Sequence, residues 1–471
     1  MRNRIIYNTL GVFAGPAPCT GYHFINDLGV LNDSVSSSHG SGANYNLLKE
    51  INRIQSVGYS IQTNRVAQQA VGKKASLDSQ PIFAPTVNLS FDYVQAGILN
   101  ELRLGFYCNY AQPFLNDAPY YSNNYGVCCI SGFLDRTEDR EINPIRWPFK
   151  NRDCRNFFVA VRQEGYDLNN FSTGQEQIAP DSPNYGVFAF GNSYLNSYSA
   201  KGEVGAAPAV SVSFSCYNVE YLSSGSGCVV PAINNKTAES ISGMHFAIPS
   251  VNKMSLVPLL LPGDIKIDLT SRPRHDLNAI NGTGVVASNN SSSKDLLLNI
   301  ENLAIQGYTL DLNLPREEIN QIGHRFPADR PIKFPVPVTC SFGILANELM
   351  TGSLARLNEK NEYYDLAIKL ENPTYYQEGI GVRYDIKGCK FISSDFSVGV
   401  GSNMVATLNF ATEIDLDDYS KGLFISGLLN TSTGFSDQVF AGFLTQESGD
   451  YLLQEDNSSK FMLYDNYQLL Y

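Results

Sequence analysis

Two stretches of this chain, far apart, carry the same succession of turn glycines, aromatic strand-like segments and polar connections. RIQSVGYSIQTNRVAQQAVGKKASLDSQPIFAPTVNLSF, around Gly58 and Tyr59, recurs as NLAIQGYTLDLNLPREEINQIGHRFPADRPIKFPVPVTCSF around Gly307 and Tyr308. In both, a polar stretch with one central glycine (Gly72, Gly323) leads through prolines to a strand ending in Phe91 or Phe342. A second pair, NSYLNSYSAKGEVGAAPAVSVSF and GCKFISSDFSVGVGSNMVATLNF, aligns without a gap and matches Ser197 with Ser393, Gly205 with Gly401 and Phe214 with Phe410. Two matches in the same order read as two copies of one β-unit. A unit repeated within one subunit is raw material for a pseudosymmetric assembly.

The segments between these anchors read as strands. Val210, Val212, Phe214 and Cys216 alternate with Ser211, Ser213 and Ser215, and Ala406, Leu408 and Phe410 alternate with Thr407 and Asn409, which marks sheets with one packed face. Tyr364 to Leu370 and Asn156 to Val161 form another matched strand pair. Upstream, the polar loops 34–42 and 282–293 lead into apolar segments around 45–54 and 296–303, which extends the correspondence. The stretch 345–357 spaces Leu345, Leu349 and Leu354 in a helical manner. The offset between copies falls from 249 (307 − 58) to 196 (393 − 197), so the first copy carries 53 more residues in between. Most of that insertion is placed within 106–150, a Tyr-, Phe- and Asn-rich segment holding Trp147, and read as an ordered surface excursion or contact loop.

At 471 residues the chain is too long for one core. Only 17% of residues are charged, while Gly, Tyr and Phe are plentiful, a balance that suits short strands and turns and a surface that meets other protein. The net charge of −12 argues against a surface that grips nucleic acid. From Glu413 onward ten acidic residues face Lys421 and Lys460, which reads either as a solvated tail or as a wall that repels a passing polyanion. Nine cysteines show no C-x-x-C spacing and suit free thiols packed in strands, as in a reducing compartment. The opening MRNRIIYNTLGVFAGPAPCTG has too short and too broken an apolar run for a secretion signal, and no stretch reaches the ~18 apolar residues of a membrane span.

A search for chemistry returns little. Gly282, Gly284 and Ala287 satisfy a dinucleotide-binding pattern, but SNNSSS follows where a helix must start. The five histidines (His23, His39, His245, His275, His324) lie apart, with no cysteine at zinc spacing, and no nucleophile elbow occurs. The acidic pairs Glu317-Glu318 and Asp417-Asp418 are adjacent, so their side chains diverge on any regular element and suit solvated faces.

The segment GYSIQTNRVAQQAVGKKASLDSQPIFAPTVNLSFDY resembles the strand–long loop–strand arrangement of tail tube (major tail) proteins of long-tailed bacteriophages. LPREEINQIGHRFPADRPIKFPVPVTCSF is similar to a segment of virion structural proteins of marine phages, and GPAPCTGYH resembles the start of such proteins. YSAKGEVGAAPAVSVSF resembles the closing hairpin of the tube fold. The resemblance covers about 16–102, 156–220, 296–349 and 363–415; the doubling and the insertion depart from the family's one-domain members.

The resemblance implies a mainly β fold of two tandem β-sandwich tube-type domains, each with a short helix, plus a C-terminal extension. The boundaries read as 1–222 for the first domain, 223–255 for a linker, 256–421 for the second domain and 422–471 for an acidic extension that includes a hairpin arm. It implies a homo-oligomeric ring, stacked into a tail tube that conducts DNA during ejection, in contact with other tail proteins. The protein would then be made in the bacterial cytoplasm and reside in the virion tail, with no membrane, cofactor, metal or catalytic role. With two units per chain, three chains make a ring of six-fold-like symmetry. The family's stacking loop matches 62–84 and 311–333, which assigns inter-ring contacts to Gln62, Asn64, Arg65, Gln69, Gly72 and Lys73 in the first loop. In the second it assigns them to Asp311, Arg316, Glu317, Asn320, Gly323 and Arg325. Two other readings stand beside this one: a neck, decoration or baseplate-hub protein, and a carbohydrate-binding adhesin whose Tyr faces stack on sugars.

Overall fold

Alternating polarity in the sequence becomes alternating burial in the computed structural model. Val87, Leu89, Phe91 and Tyr93 are buried between outward-facing Asn88, Ser90 and Asp92, and Val336, Val338, Cys340, Phe342 and Ile344 repeat the pattern. The structure describes residues 10–16, 49–63, 65–76, 78–81, 84–95, 97–110, 128–133, 154–162, 185–223, 228–229, 231, 233, 245–246, 265–272, 296–298, 305–345, 363–371, 380–397, 405–414, 421–427, 442–443 and 462–463.

The first half contains β1 (Leu10–Pro16), β2 (Lys49–Glu50), β3 (Ile54–Gln62), β4 (Arg65–Gln68), β5 (Asp78–Pro81) and β6 (Thr86–Val94). After the helix α1 (Leu99–Leu104) come β7 (Cys108–Tyr110), a 3-10 turn at Cys129–Phe133, β8 (Cys154–Arg162), β9 (Tyr185–Glu203), β10 (Ala209–Cys216) and β11 (Asn218–Ser223). The short strands β12 (Cys228–Val229) and β13 (His245–Phe246) pair with each other. The second half contains β14 (Ile265–Arg272), β15 (Leu296–Leu298), β16 (Ile305–Asn313), β17 (Val336–Leu345), β18 (Tyr363–Glu371), β19 (Ile380–Ser397), β20 (Val405–Ile414) and β21 (Gly422–Gly427). Finally β22 (Gly442–Phe443) pairs with β23 (Met462–Leu463).

Strand pairing follows one order in both halves. In the first, β3 pairs with β6, β6 with β10, and β10 with the later part of β9. The earlier part of β9 lies between β8 and β11, while β8 pairs with β1 and β1 with β2. In the second, β16, β17, β20 and the later part of β19 form the first of these ladders. The earlier part of β19 lies between β18 and β21, and β18 leads to β14 and β15. All of these pairings are antiparallel, and the two long strands link the two faces of a sandwich-like body.

The ladders also agree in register. Val57 faces Phe91 as Tyr308 faces Phe342, at a constant offset (308 − 57 = 342 − 91 = 251). Ser213 faces Ser197 as Asn409 faces Ser393, also at a constant offset (409 − 213 = 393 − 197 = 196). Both registers slip at matching places, after Ile54 and Ile305 in the first ladder. The long strands bend at Asn192 (φ 50°) and Gly388 (φ 64°), residue types suited to a left-handed backbone. Each bend donates its N–H to a neighbouring side chain, Asn156 Oδ1 at 3.2 Å and Asp365 Oδ1 at 3.0 Å.

One sequence match needs correction. Aligning Gly58-Tyr59 with Gly307-Tyr308 gives an offset of 249, but the ladders equate Val57 with Tyr308 and Tyr59 with Leu310. A slip of two residues leaves every side chain on the same face of a strand, so alternation could not distinguish the two alignments. The strand Gly422–Gly427, read from the sequence as the start of the extension, pairs with β19 as β11 pairs with β9. Within the extension read as including a hairpin arm, Met462–Leu463 pairs with Gly442–Phe443, whereas 451–454 lies outside the described residues. So do most of the insertion, the linker and the acidic tail, and all but Leu345 of the helical stretch 345–357. Six described cysteines (Cys108, Cys128, Cys129, Cys216, Cys340, Cys389) are free and buried, but Cys154 is disulfide-bonded.

Candidate functional site

The two halves are sewn together by one strand pair. The later part of β9 carries β10 on one side and β16 on the other, so β3, β6, β10, β9, β16, β17, β20 and β19 run as consecutive antiparallel neighbours. At this seam Leu310 faces Ala200 and Leu312 faces Tyr198, all four fully buried. Ser199 Oγ donates to Asp311 Oδ1 at 2.5 Å, and Leu314 N donates to the Asn196 carbonyl at 2.8 Å. Arg316 closes the seam's end: its Nε donates to the Leu195 carbonyl at 2.9 Å and its Nη1 to the Arg330 carbonyl at 2.9 Å.

Among the described residues the same row of strands ends on two bare edges. Among the described residues β3 pairs only with β6, and the stretch Lys390–Ser397 of β19 pairs only with β20. Tyr59 and Ile61 are 48% and 50% exposed, although their counterparts Leu310 and Leu312 are completely buried. An unpaired edge with apolar side chains beside it is a template for another strand.

The two connections that follow β3 and β16 are built alike. Arg65 faces Pro81 and Gln68 faces Asp78, just as Arg316 faces Ile332 and Ile319 faces Asp329, again 251 residues on. Each is tipped by a turn closed by an N–H to carbonyl bond, Lys73 to Ala70 at 3.2 Å and His324 to Gln321 at 3.1 Å. The third residue of each turn, Gly72 (φ 86°) or Gly323 (φ 84°), has the positive φ that a glycine supplies. The residue before it, Val71 or Ile322, is fully exposed.

The residues expected in stacking loops therefore fall into two groups. Gln62, Arg65, Gln69, Gly72, Lys73, Glu317, Asn320, Gly323 and Arg325 are exposed on these connections, and Asn64 lies outside the described residues. Asp311 and Arg316 are instead engaged in the seam within the chain, because β16 lies between β17 and β9 whereas β3, among the described residues, has only β6 beside it. Sequence reasoning missed β19's bare edge; Ser393 was matched with Ser197, yet nothing in the letters showed that Ser197's far side meets β16.

The outer face of the eight strands is a carpet of small polar side chains such as Ser90, Ser213, Ser199, Thr339 and Asn409. Its charges are five carboxylates (Asp92, Glu203, Asp311, Asp395, Glu413) against Lys201 and Lys390. The opposite face enters the shared core.

Beneath the seam, α1 places Glu101 where both halves meet. Its Oε1 accepts from the hydroxyls of Tyr93 (3.0 Å) and Tyr198 (3.1 Å) and from Gln95 Nε2 (3.2 Å). Tyr198 shares a 2.7 Å hydrogen bond with Tyr384 of the second half, which also accepts from Gln95. Burial pushes the Glu101 carboxyl up to about 7, against which these three donors pull only partly. Burial likewise raises the Tyr93, Tyr198 and Tyr384 hydroxyls, with the nearby carboxylate adding to it. The cluster is enclosed, so it acts as a strut rather than as a reactive acid. Among the described residues no group of three His, Cys, Asp or Glu could hold a metal ion, and no helix is long and apolar enough to cross a membrane.

No family model and no curated protein matches the chain. Among solved structures it is similar to a chain of "Cryo-EM structure of the anti-feeding prophage (AFP) baseplate, 6-fold symmetrised". That match has 12% identity and a TM-score of 0.20, and covers 35% of this chain and 93% of the other.

Proposed function

We propose that the chain is a structural subunit of a long-tailed phage virion, built from one duplicated β-unit, which closes into rings that stack into a tail tube. The observation that carries this reading is the row of eight strands: its internal seam joins two like halves, and among the described residues its two ends are bare edges. An edge that meets a different edge makes a head-to-tail contact, which closes into a ring when the rotation per copy allows. Closure removes both edges at once.

Two further features fit. The carpet of hydroxyls and carboxylates suits the wall of a channel for DNA, because phosphates find few cations to hold them. The twin connections, each with an exposed aliphatic residue at its tip, suit contacts between successive rings. On this reading the protein works through its interfaces and lumen charge and catalyses nothing.

Electron microscopy of the purified protein tests the proposal. Stacked rings of six-fold-like symmetry, made from three chains, are expected. Deleting residues 66–80 should leave rings that no longer stack. Monomers that persist under crowded or nucleated conditions defeat the reading, and one ring per particle would place the chain in a neck or baseplate instead.

A further inference from the structure

Resting on that ring-forming reading, we infer which strands meet between copies and in what register. The bare edge of β3 joins antiparallel to Lys390–Ser397 in β19 of the next copy, in the register that β16 and β9 use within the chain. Carrying the offsets 251 and 196 across, Leu312–Tyr198 becomes Ile61–Ser394, Asp311–Ser199 becomes Ser60–Asp395, and Thr309–Lys201 becomes Gly58–Ser397.

Three observations support this register, independently of any resemblance. The first is a swapped polar pair. Within the chain a carboxylate on β16 (Asp311) accepts from a hydroxyl on β9 (Ser199); between copies the hydroxyl is on β3 (Ser60) and the carboxylate on β19 (Asp395). Both Ser60 and Asp395 are exposed, and the exchange preserves one donor and one acceptor.

The second is Arg65. It already holds the pose of Arg316, since its Nη1 donates to the Ser79 carbonyl at 3.1 Å as that of Arg316 donates to the Arg330 carbonyl. Among the described residues its Nε has no partner. The counterpart of the Leu195 carbonyl, which Arg316 Nε reaches, is the Phe391 carbonyl of the next copy.

The third is the matching bulge. Leu195 and Ser197 flank the extra residue Asn196 in β9, and Phe391 and Ser393 flank Ile392 in β19. The seam uses the Asn196 carbonyl to receive Leu314 N, so Ile392 of the next copy, 62% exposed in the single chain, marks where Thr63 should dock. Backbone and side-chain features thus select the same alignment.

Disulfide trapping in the full-length chain tests the register. Chains carrying Ser60→Cys mixed with chains carrying Asp395→Cys should, on mild oxidation during assembly, give covalent dimers. The double variant should give closed covalent oligomers. These positions face each other as a close, non-hydrogen-bonded pair with Cα atoms about 4.5 Å apart, within disulfide reach. Gln62→Cys with Asp395→Cys is diagonal, about 7–8 Å, and should trap poorly. Arg65→Ala should raise the critical concentration for assembly about tenfold through one lost charged hydrogen bond, with the melting temperature of the unassembled chain unchanged. Rings that form yet trap 62/395 as well as 60/395 overturn the register while leaving ring assembly intact. Wild-type chains that never assemble overturn both.

Discussion

β3 and β16 have equivalent partners in β6 and β17, the same register slip and the same alternation, yet one is half-bare and the other enclosed. Leu310 and Leu312 are fully buried where Tyr59 and Ile61 are about half exposed. The difference lies in what stands beside each strand: β16 has β9, and β3 has no second paired strand among the described residues. Burial here belongs to the neighbour rather than to the strand. The connections that follow teach the same lesson. In the second, Phe326 packs with Cys154, Tyr194 and Tyr217 of the first half, and Arg330 lies 4.6 Å over the Tyr217 ring while pairing with Glu318 at 2.6 Å. The counterparts in the first are Ala75, Ser79 and Ala67. At these three positions the connection docked within its own chain carries large, committed side chains, and the other carries small ones.

Substitution at equivalent positions should break or sharpen this contrast, and the largest effect is expected in the seam. Leu312→Ala should cost about 2–5 kcal/mol in denaturant unfolding, the usual cost of a cavity at a buried leucine. Its counterpart Ile61→Ala should cost the unassembled chain under about 1 kcal/mol. Equal costs would show that β3 is covered in solution.

Glu101 offers the next effect, because it braces the seam from below. Its carboxyl in the folded chain titrates near 7, above the ordinary 4.5, so the folded state holds the proton more tightly than the unfolded state. This contribution to stability is complete below about pH 4.5, falls as pH rises through 7, and levels off above. Glu101→Gln removes the titration, so the stability of the variant relative to wild type should climb by up to about 3 kcal/mol between pH 5 and pH 8. Parallel pH profiles would remove Glu101 from this role.

A smaller contrast is expected at the two arginines. Arg316→Ala loses bonds to Leu195 and Arg330 and the 5.2 Å stack on Tyr194, and should cost about 1–2 kcal/mol. Arg65→Ala should cost the unassembled chain about 0.5 kcal/mol or less. Finally, Gly72→Ala and Gly323→Ala should each cost about 1 kcal/mol and differ little, since both glycines have positive φ and nothing within 4 Å of a built Cβ. A large difference between them in thermal melts would show that the two tips are not equivalent.

Much of the fold was legible because strands announce themselves locally. The alternation at Val210–Cys216 and Ala406–Phe410, the single glycines at the loop tips and, within the described residues, the match of 194–201 with 390–397 and of 209–214 with 405–410 all hold in the fold. The exact alignment of the first repeat was not legible, because a two-residue slip conserves polarity. The role of Glu101 was hidden too: its partners Tyr93, Gln95, Tyr198 and Tyr384 are scattered along the chain, and one acid in LNELRL carries no sign of burial. The candidate site was half visible. The loops stood out as polar inserts, but the edge of β19 did not.

The order of residues alone determined that there would be two like sets of amphipathic strands, since period-two patterning is a property of neighbouring letters. Tertiary structure alone decided which edges found partners within the chain and which, among the described residues, were left bare. Strand pairing joins residues more than a hundred positions apart, and whether a given N–H or carbonyl has a partner depends on what the folded chain brings beside it.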